Sequence, residues 1–224
     1  MDIENFKFRH PFTCMLSGPS GSGKTFLVRR ILKHYRLLTN IQTNTLRVLW
    51  AYGQWQPLYT EKISDIVVVN YVSGLPSEDE IKEYKPQIII IDDLMLDLGN
   101  NKELGNLFTK GSHHLGISVI FITQNLFHQG SQMRTIGLNC HYLIIMKSAR
   151  GKAQLRHFAG DVFPGKTKYL LEAYDDATKE SPYSYIKVDL TQQTPEKYRV
   201  TSKITPEEVK QLGVDFAPTV YIPR

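Results

Sequence analysis

Apolar positions along the chain fall into short runs bounded by turn residues and into stretches with helical spacing. Phe12-Thr-Cys-Met-Leu-Ser17 is one such run and ends at Gly18-Pro-Ser-Gly-Ser-Gly23. Beyond it, between Lys24 and Leu38, Phe26, Leu27, Ile31, Leu32 and Tyr35 recur on one helical face. The order is strand, glycine loop, amphipathic helix. Leu46 to Ala51 and Ile66 to Tyr71 are β-branched or aromatic and predict two strands, the second closed by Gly74-Leu-Pro-Ser. Ile88 to Ile91, leading into Asp92, is apolar at every position, as a parallel strand covered on both faces must be. Asn101 to His114 then predicts a helix with Leu104, Leu107 and Phe108 on one side. Gly116 to Gln124 and His141 to Lys147 predict two more buried strands.

Strand and helix thus alternate from Phe12 to about Met146, which predicts an α/β fold with a central, mostly parallel sheet flanked by helices and right-handed crossovers. From Thr167 the reading changes. Lys168 to Glu172, a polar turn at Asp175 to Glu180, and Tyr183 to Asp189 predict an antiparallel hairpin. The remainder carries prolines at 195, 206, 218 and 223 with one short helix candidate, Pro206 to Leu212, and reads as a docking arm or linker. The expected organisation is a core over 1–166, a β-hairpin extension over 167–190 and a Pro-containing tail over 191–224.

Composition narrows the class. A length of 224 residues against roughly 150 per domain predicts one domain with appendages. An apolar share of 42% with 10 Phe, 12 Tyr and 2 Trp excludes general disorder. The two cysteines, Cys14 and Cys140, are too few and too far apart for a disulfide framework or a thiolate metal site, so a reducing, intracellular setting is expected. No apolar stretch approaches the roughly 18 residues of a membrane span. The net charge of +5 permits a phosphate-rich partner without requiring one.

The chemistry concentrates in Gly18-Pro19-Ser20-Gly21-Ser22-Gly23-Lys24-Thr25, which matches G-x-x-x-x-G-K-[ST]. Glycines let successive N–H groups turn around a phosphate, Lys24 can neutralise β/γ oxygens, and the Thr25 hydroxyl can ligate Mg²⁺. The alternative is an ordinary Gly/Ser loop. Asp92 and Asp93 stand where a buried strand meets the ligand-binding edge of an open sheet. Asp92 suits the magnesium shell and Asp93 the attacking water, although a plain turn cap would use the same pair. Adjacent strand residues point to opposite faces, so only a bend would bring both to a nucleotide. Gln124, ending the next strand on the same edge, could bridge water and γ-phosphate or merely cap its strand. His113 and His114 lack i,i+4 metal spacing and suit helix-end pairing. Between Lys147 and Lys168, Lys147, Arg150, Lys152, Arg156, Lys166 and Lys168 face a single acid, Asp161. That segment could touch nucleic acid, supply an arginine finger or be a solvated face. Arg134 is the other candidate finger. Trp50, Tyr52 and Trp55 suit a core or interface better than base stacking.

The order Gly18 to Thr25, Ile88 to Asp93, Leu107-Phe-Thr-Lys-Gly-Ser-His-His114 and Gln124-Asn-Leu-Phe127 resembles the FtsK/HerA superfamily. Within it the chain is similar to the poxvirus-type genome-packaging ATPases of Polinton/Maverick elements, adintoviruses and virophages, over roughly residues 6 to 170. The resemblance implies a RecA-like P-loop NTPase using ATP and Mg²⁺. It also implies a homo-oligomeric ring, hexamer or pentamer, around double-stranded DNA. Its action would be translocation of a viral-type genome into a preformed capsid through a capsid or portal-type vertex protein. The setting would be a host nucleus or cytoplasmic virus factory, with virion association. Lys24 and Thr25 carry over as phosphate and magnesium ligands, Asp92 as the Walker B acid and Gln124 as the sensor, with Arg134 or Arg150 as the finger. Cellular members usually carry Glu after the Walker B Asp; Asp93 is the shorter alternative. A small nucleotide kinase and a nucleotide-binding capsid-assembly adaptor are the competing readings, and the guanine-reading Asn-Lys-x-Asp does not occur.

Overall fold

The computed structural model describes residues 3–94, 115–124, 139–149, 151–209 and 216–223. Arg134, Arg150, His113, His114, Asn125 and the helix expected over Asn101 to His114 lie outside the described residues. Nine strands form one sheet among those residues: β1 (Thr13–Ser17), β2 (Leu46–Tyr52), β3 (Val67–Ser73), β4 (Ile88–Asp92), β5 (Ser118–Thr123), β6 (Tyr142–Met146), β7 (Tyr185–Asp189), β8 (Val200–Ser202) and β9 (Thr219–Tyr221). Their spatial order is β3-β2-β4-β5-β1-β6-β7-β8-β9. The first six are mutually parallel and the last three antiparallel. The expected α/β sheet with C-terminal antiparallel strands is what the chain forms.

Full burial of the central strands follows from helices on both faces. In β4, Ile89 and Ile91 join one apolar cluster while Ile88 and Ile90 join the other. One face is covered by α1 (Lys24–Lys33), through Leu27, Val28, Ile31 and Leu32. The other is covered by α3 (Glu78–Tyr84), α4 (Lys152–Val162) and α5 (Thr167–Ala177). A four-residue helix, α2 (Tyr35–Leu38), follows α1. Ser77 caps α3 reciprocally with Glu80, satisfying the backbone N–H groups of both residues.

Two expectations change. Lys168 to Glu172 is not the first arm of a hairpin; it lies inside α5. Leu170, Ala173, Tyr174 and Ala177 are the buried residues there, an i, i+3, i+4, i+7 set that only a helix places on one side. Antiparallel pairing is instead made by β7 with β6 and β8. The 191–224 segment is more than an arm, since β8 and β9 extend the sheet. Of its helix candidate, Pro206 to Leu212, the described residues form a 3-10 turn, Pro206–Glu208.

Candidate functional site

The loop after β1 turns back on the sheet: the Gly18 N–H donates to the Thr123 carbonyl at 3.1 Å, so the loop sits directly over the end of β5. Gly23 caps α1 with φ 89°, a left-handed conformation that glycine adopts without a Cβ penalty. A Cβ there would also lie 3.2 Å from the Tyr183 ring. The first N–H groups of α1 have no acceptor within the helix, and the helix dipole adds positive character at that end. The Ser22 hydroxyl is buried without a hydrogen-bond partner among the described residues. Such a cradle of donors fits an oxyanion.

Lys24 reaches back over this cradle, its Nζ donating to the Gly18 carbonyl at 2.7 Å and the Pro19 carbonyl at 2.9 Å. Burial draws its ammonium below the usual lysine value, while the charges of Asp92 and Asp93 oppose that shift. Beside it the Thr25 hydroxyl donates to Asp92 Oδ2 at 3.4 Å. Asp92 is 3% exposed. Burial raises its carboxyl above the usual range; a bond from Tyr59 opposes the rise and the charge of Asp93 adds to it. A hydroxyl and a carboxylate converging in this way are the hard oxygen donors that Mg²⁺ prefers, so Thr25 and Asp92 fit a magnesium ion as its two protein ligands.

Asp93 supplies the bend that the strand pattern required. It is the first residue past β4 and has φ 55°, a conformation that aspartate tolerates better than most residues. The turn brings both carboxylates to the same cleft, and Gln124 Nε2 donates to Asp93 Oδ1 at 3.2 Å. Gly53, just past β2, is pressed against this bend: a Cβ on it would lie 2.5 Å from the Asp93 carbonyl oxygen.

The cleft holds about 680 Å³ and is lined by Ser20, Gly21, Gly23, Lys24, Thr25, Asp92, Asp93 and Gln124. Phe26 and Tyr183 line it too, and are 58% and 62% exposed, so two aromatic faces stand free beside the loop. All five catalytic and metal-binding candidates that the described residues contain, Lys24, Thr25, Asp92, Asp93 and Gln124, therefore share one cleft.

The basic segment is less basic than its sequence. Lys152 pairs with Asp175 at 2.7 Å, Lys166 with Glu196 at 3.0 Å and Lys168 with Glu172 at 3.4 Å. These exposed pairs favour the solvated-face reading for those three lysines. Trp50 is fully buried, as a core role requires, and Trp55 is 49% exposed.

One contact was not legible beforehand. Tyr59, in the 3-10 turn Pro57–Thr60, donates its hydroxyl to Asp92 Oδ2 at 2.8 Å. Burial, then the adjacent Asp92 carboxylate, push this phenol far above its usual pKa, which keeps it the donor. The only sequence signal is a proline opening a turn between two aromatic residues, which marks a turn but no target.

No family model and no curated protein sequence matches the chain. Solved structures do. The genome-packaging NTPase B204 of Sulfolobus turreted icosahedral virus 2, in complex with ATP-gammaS, aligns with TM-score 0.52 and 16% identity over 82% of this chain and 95% of its own. The chain has the fold of a viral genome-packaging NTPase. B204 of Sulfolobus turreted icosahedral virus, a DNA-packaging ATPase, aligns with TM-score 0.51 and 13% identity over 82% of this chain and 94% of that one. The α/β sheet expected from the apolar runs and the P-loop NTPase fold expected from the resemblance are thus both found.

Proposed function

We propose that the chain is the ATP-hydrolysing subunit of a motor that drives double-stranded DNA into a preformed capsid. The observation that carries this reading is the convergence of Lys24, Thr25, Asp92, Asp93 and Gln124 on one cleft at the carboxyl edge of the sheet, in a fold shared with packaging NTPases.

In this reading the N–H groups of the Gly18 to Thr25 loop wrap the β-phosphate, and Lys24 leaves its two carbonyl partners to meet the β and γ oxygens. Thr25 and Asp92 hold Mg²⁺, which would neutralise charge on the β and γ oxygens. Asp93 accepts the proton of the attacking water and Gln124 orients that water. Their mutual hydrogen bond keeps the two side chains together at the strand tips, within reach of one water. Phe26 and Tyr183 offer flat faces to the adenine. Motors of this class act as rings on a duplex, so a hexameric or pentameric ring, a trans arginine from Arg134 or Arg150, and a capsid or portal-type vertex partner complete the proposal. Its place of action is the virus factory or nucleus of a host cell. Among the described residues no helix is long and apolar enough to cross a membrane.

The test is ATP hydrolysis by the purified oligomer with and without duplex DNA. DNA-stimulated release of inorganic phosphate is expected. A folded oligomer inactive in both conditions, or one that passes the γ-phosphate to a nucleoside monophosphate and not to water, overturns the proposal.

A further inference from the structure

The Tyr59 hydroxyl and the Thr25 hydroxyl meet the same oxygen of Asp92, Oδ2, at 2.8 Å and 3.4 Å. Two donors on one oxygen restrain the carboxylate at that oxygen. Tyr59 itself is immobilised. It is 4% exposed, its ring stacks on Tyr71 with centroids 5.0 Å apart and planes 25° apart, and Trp50 and Trp55 close on it at 5.5 Å and 5.4 Å. The same turn is tied to the loop helix, because Arg29 of α1 donates to the Glu61 carbonyl at 2.9 Å. Pro57 and Leu58, which precede Tyr59, line the nucleotide cleft. A carboxylate that ligates a metal is oriented by its outer hydrogen-bond partners, and their removal typically costs about 10–100-fold in metal affinity or activity.

We propose that Tyr59 is a positioning residue for the magnesium-binding carboxylate: its hydroxyl, locked by the aromatic stack and tied through Arg29 to the phosphate-loop helix, holds Asp92 in the orientation that receives the ion. This rests on the reading of Asp92 as a magnesium ligand. It predicts that Tyr59 governs how much magnesium tightens nucleotide binding, and that it has no part in binding the nucleotide without the ion. The aromatic stack contributes by holding the phenol ring, and the hydroxyl makes the contact. Loss of the hydroxyl alone, with the ring retained, therefore suffices to weaken the ion's hold.

The experiment measures the dissociation constant of a fluorescent N-methylanthraniloyl derivative of the β,γ-imido ATP analogue, once in excess Mg²⁺ and once in EDTA. The readout is the ratio of the two constants. Native protein is expected to bind more tightly with the ion. In Tyr59→Phe the ratio is expected to fall about 10-fold or more, with the constant in EDTA unchanged. Trp55→Leu loosens the stack and keeps the hydroxyl, and is expected to lower the ratio by less than Tyr59→Phe does; a native Tyr59→Phe ratio, or a Tyr59→Phe loss in EDTA as large as that in magnesium, each overturns the proposal. If the native ratio is unity, Asp92 is not a magnesium ligand and the reading beneath the proposal fails first, which separates the two failures. Circular dichroism of each variant establishes that the comparison is made on folded protein.

Discussion

Gln124 at the end of β5 donates its side-chain amide to Asp93 at the end of β4, 3.2 Å away, joining the tips of two adjacent parallel strands over the loop that follows β1. β5 lies between β4 and β1 in the sheet, so any group on its tip stands between the acids and the phosphate loop. Neither Asp→Asn nor Gln→Ala at these tips removes a core contact. Asp93→Asn is expected to lower ATP hydrolysis about 10²–10⁴-fold and Gln124→Ala about 10²–10³-fold. Both should retain nucleotide affinity within a few-fold. Phosphate release and equilibrium binding, measured on the same preparations, check both.

Lys24 is the one loop side chain that must change partners when a phosphate arrives, because it now donates to the Gly18 and Pro19 carbonyls. Lys24→Ala is expected to abolish detectable hydrolysis and to weaken nucleotide binding at least tenfold, at unchanged thermal stability within about 1 kcal/mol. Loss of stability without loss of binding would be the contrary result.

Gly53 is required by the close approach of β2's exit to the Asp93 bend. With a Cβ 2.5 Å from the Asp93 carbonyl oxygen, Gly53→Ala is expected to destabilise by about 1–3 kcal/mol and to lower hydrolysis by shifting Asp93. Gly160, inside α4 with nothing near its Cβ direction, is the control. Gly160→Ala should gain about 0.5–1 kcal/mol by the helical preference of alanine. Urea denaturation of the two variants measures both effects.

Lys187 of β7 is buried, donates to the Phe6 carbonyl at 2.9 Å and lies over the Phe8 and Tyr142 rings. Burial brings its pKa down to about 8, opposed by the charges of Asp189 and Cys14. The folded value is below the unfolded one, so between about pH 8 and pH 10.5 the unfolded chain binds more protons and this group's contribution to stability rises with pH. Below pH 8 its penalty is present in full, on the order of 3 kcal/mol. Cys14 and Tyr142 are raised by burial and titrate in the opposite sense from about pH 9 upward; both are present in native protein and in Lys187→Met, so the difference between the two reports the lysine together with its charge effect on Cys14. The variant's stability advantage over native protein should be greatest below pH 8 and shrink towards pH 10.5, as read by urea denaturation at each pH.

How far the molecule could be foreseen depended on how local each signal was. β4 announced itself because four isoleucines in a row suit only a strand covered on both sides, and Lys24 and Thr25 because their spacing is set by one turn of backbone. α5 was misread because the short apolar core Tyr169-Leu-Leu171 outweighed the longer spacing of Leu170, Ala173, Tyr174 and Ala177. β8 and β9, three residues each, are too short to show any alternation and are defined by their neighbours' hydrogen bonds. The Asp93 bend is a φ angle that no residue pattern encodes. Tyr59 and Asp92 are 33 residues apart, and their contact exists only after β2, the 3-10 turn and β4 have all taken their places.

Both sulfhydryl groups of the protein, at Cys14 and Cys140, are sealed in the interior, and burial raises both, Cys140 to about 12. The native surface therefore presents no thiolate to a maleimide dye. A single cysteine engineered at an exposed position, such as the turn carrying Lys62 and Asp65, could be labelled selectively on the intact wild-type background, and nucleotide-driven changes could be watched by a single dye without first stripping the chain of its own sulfur.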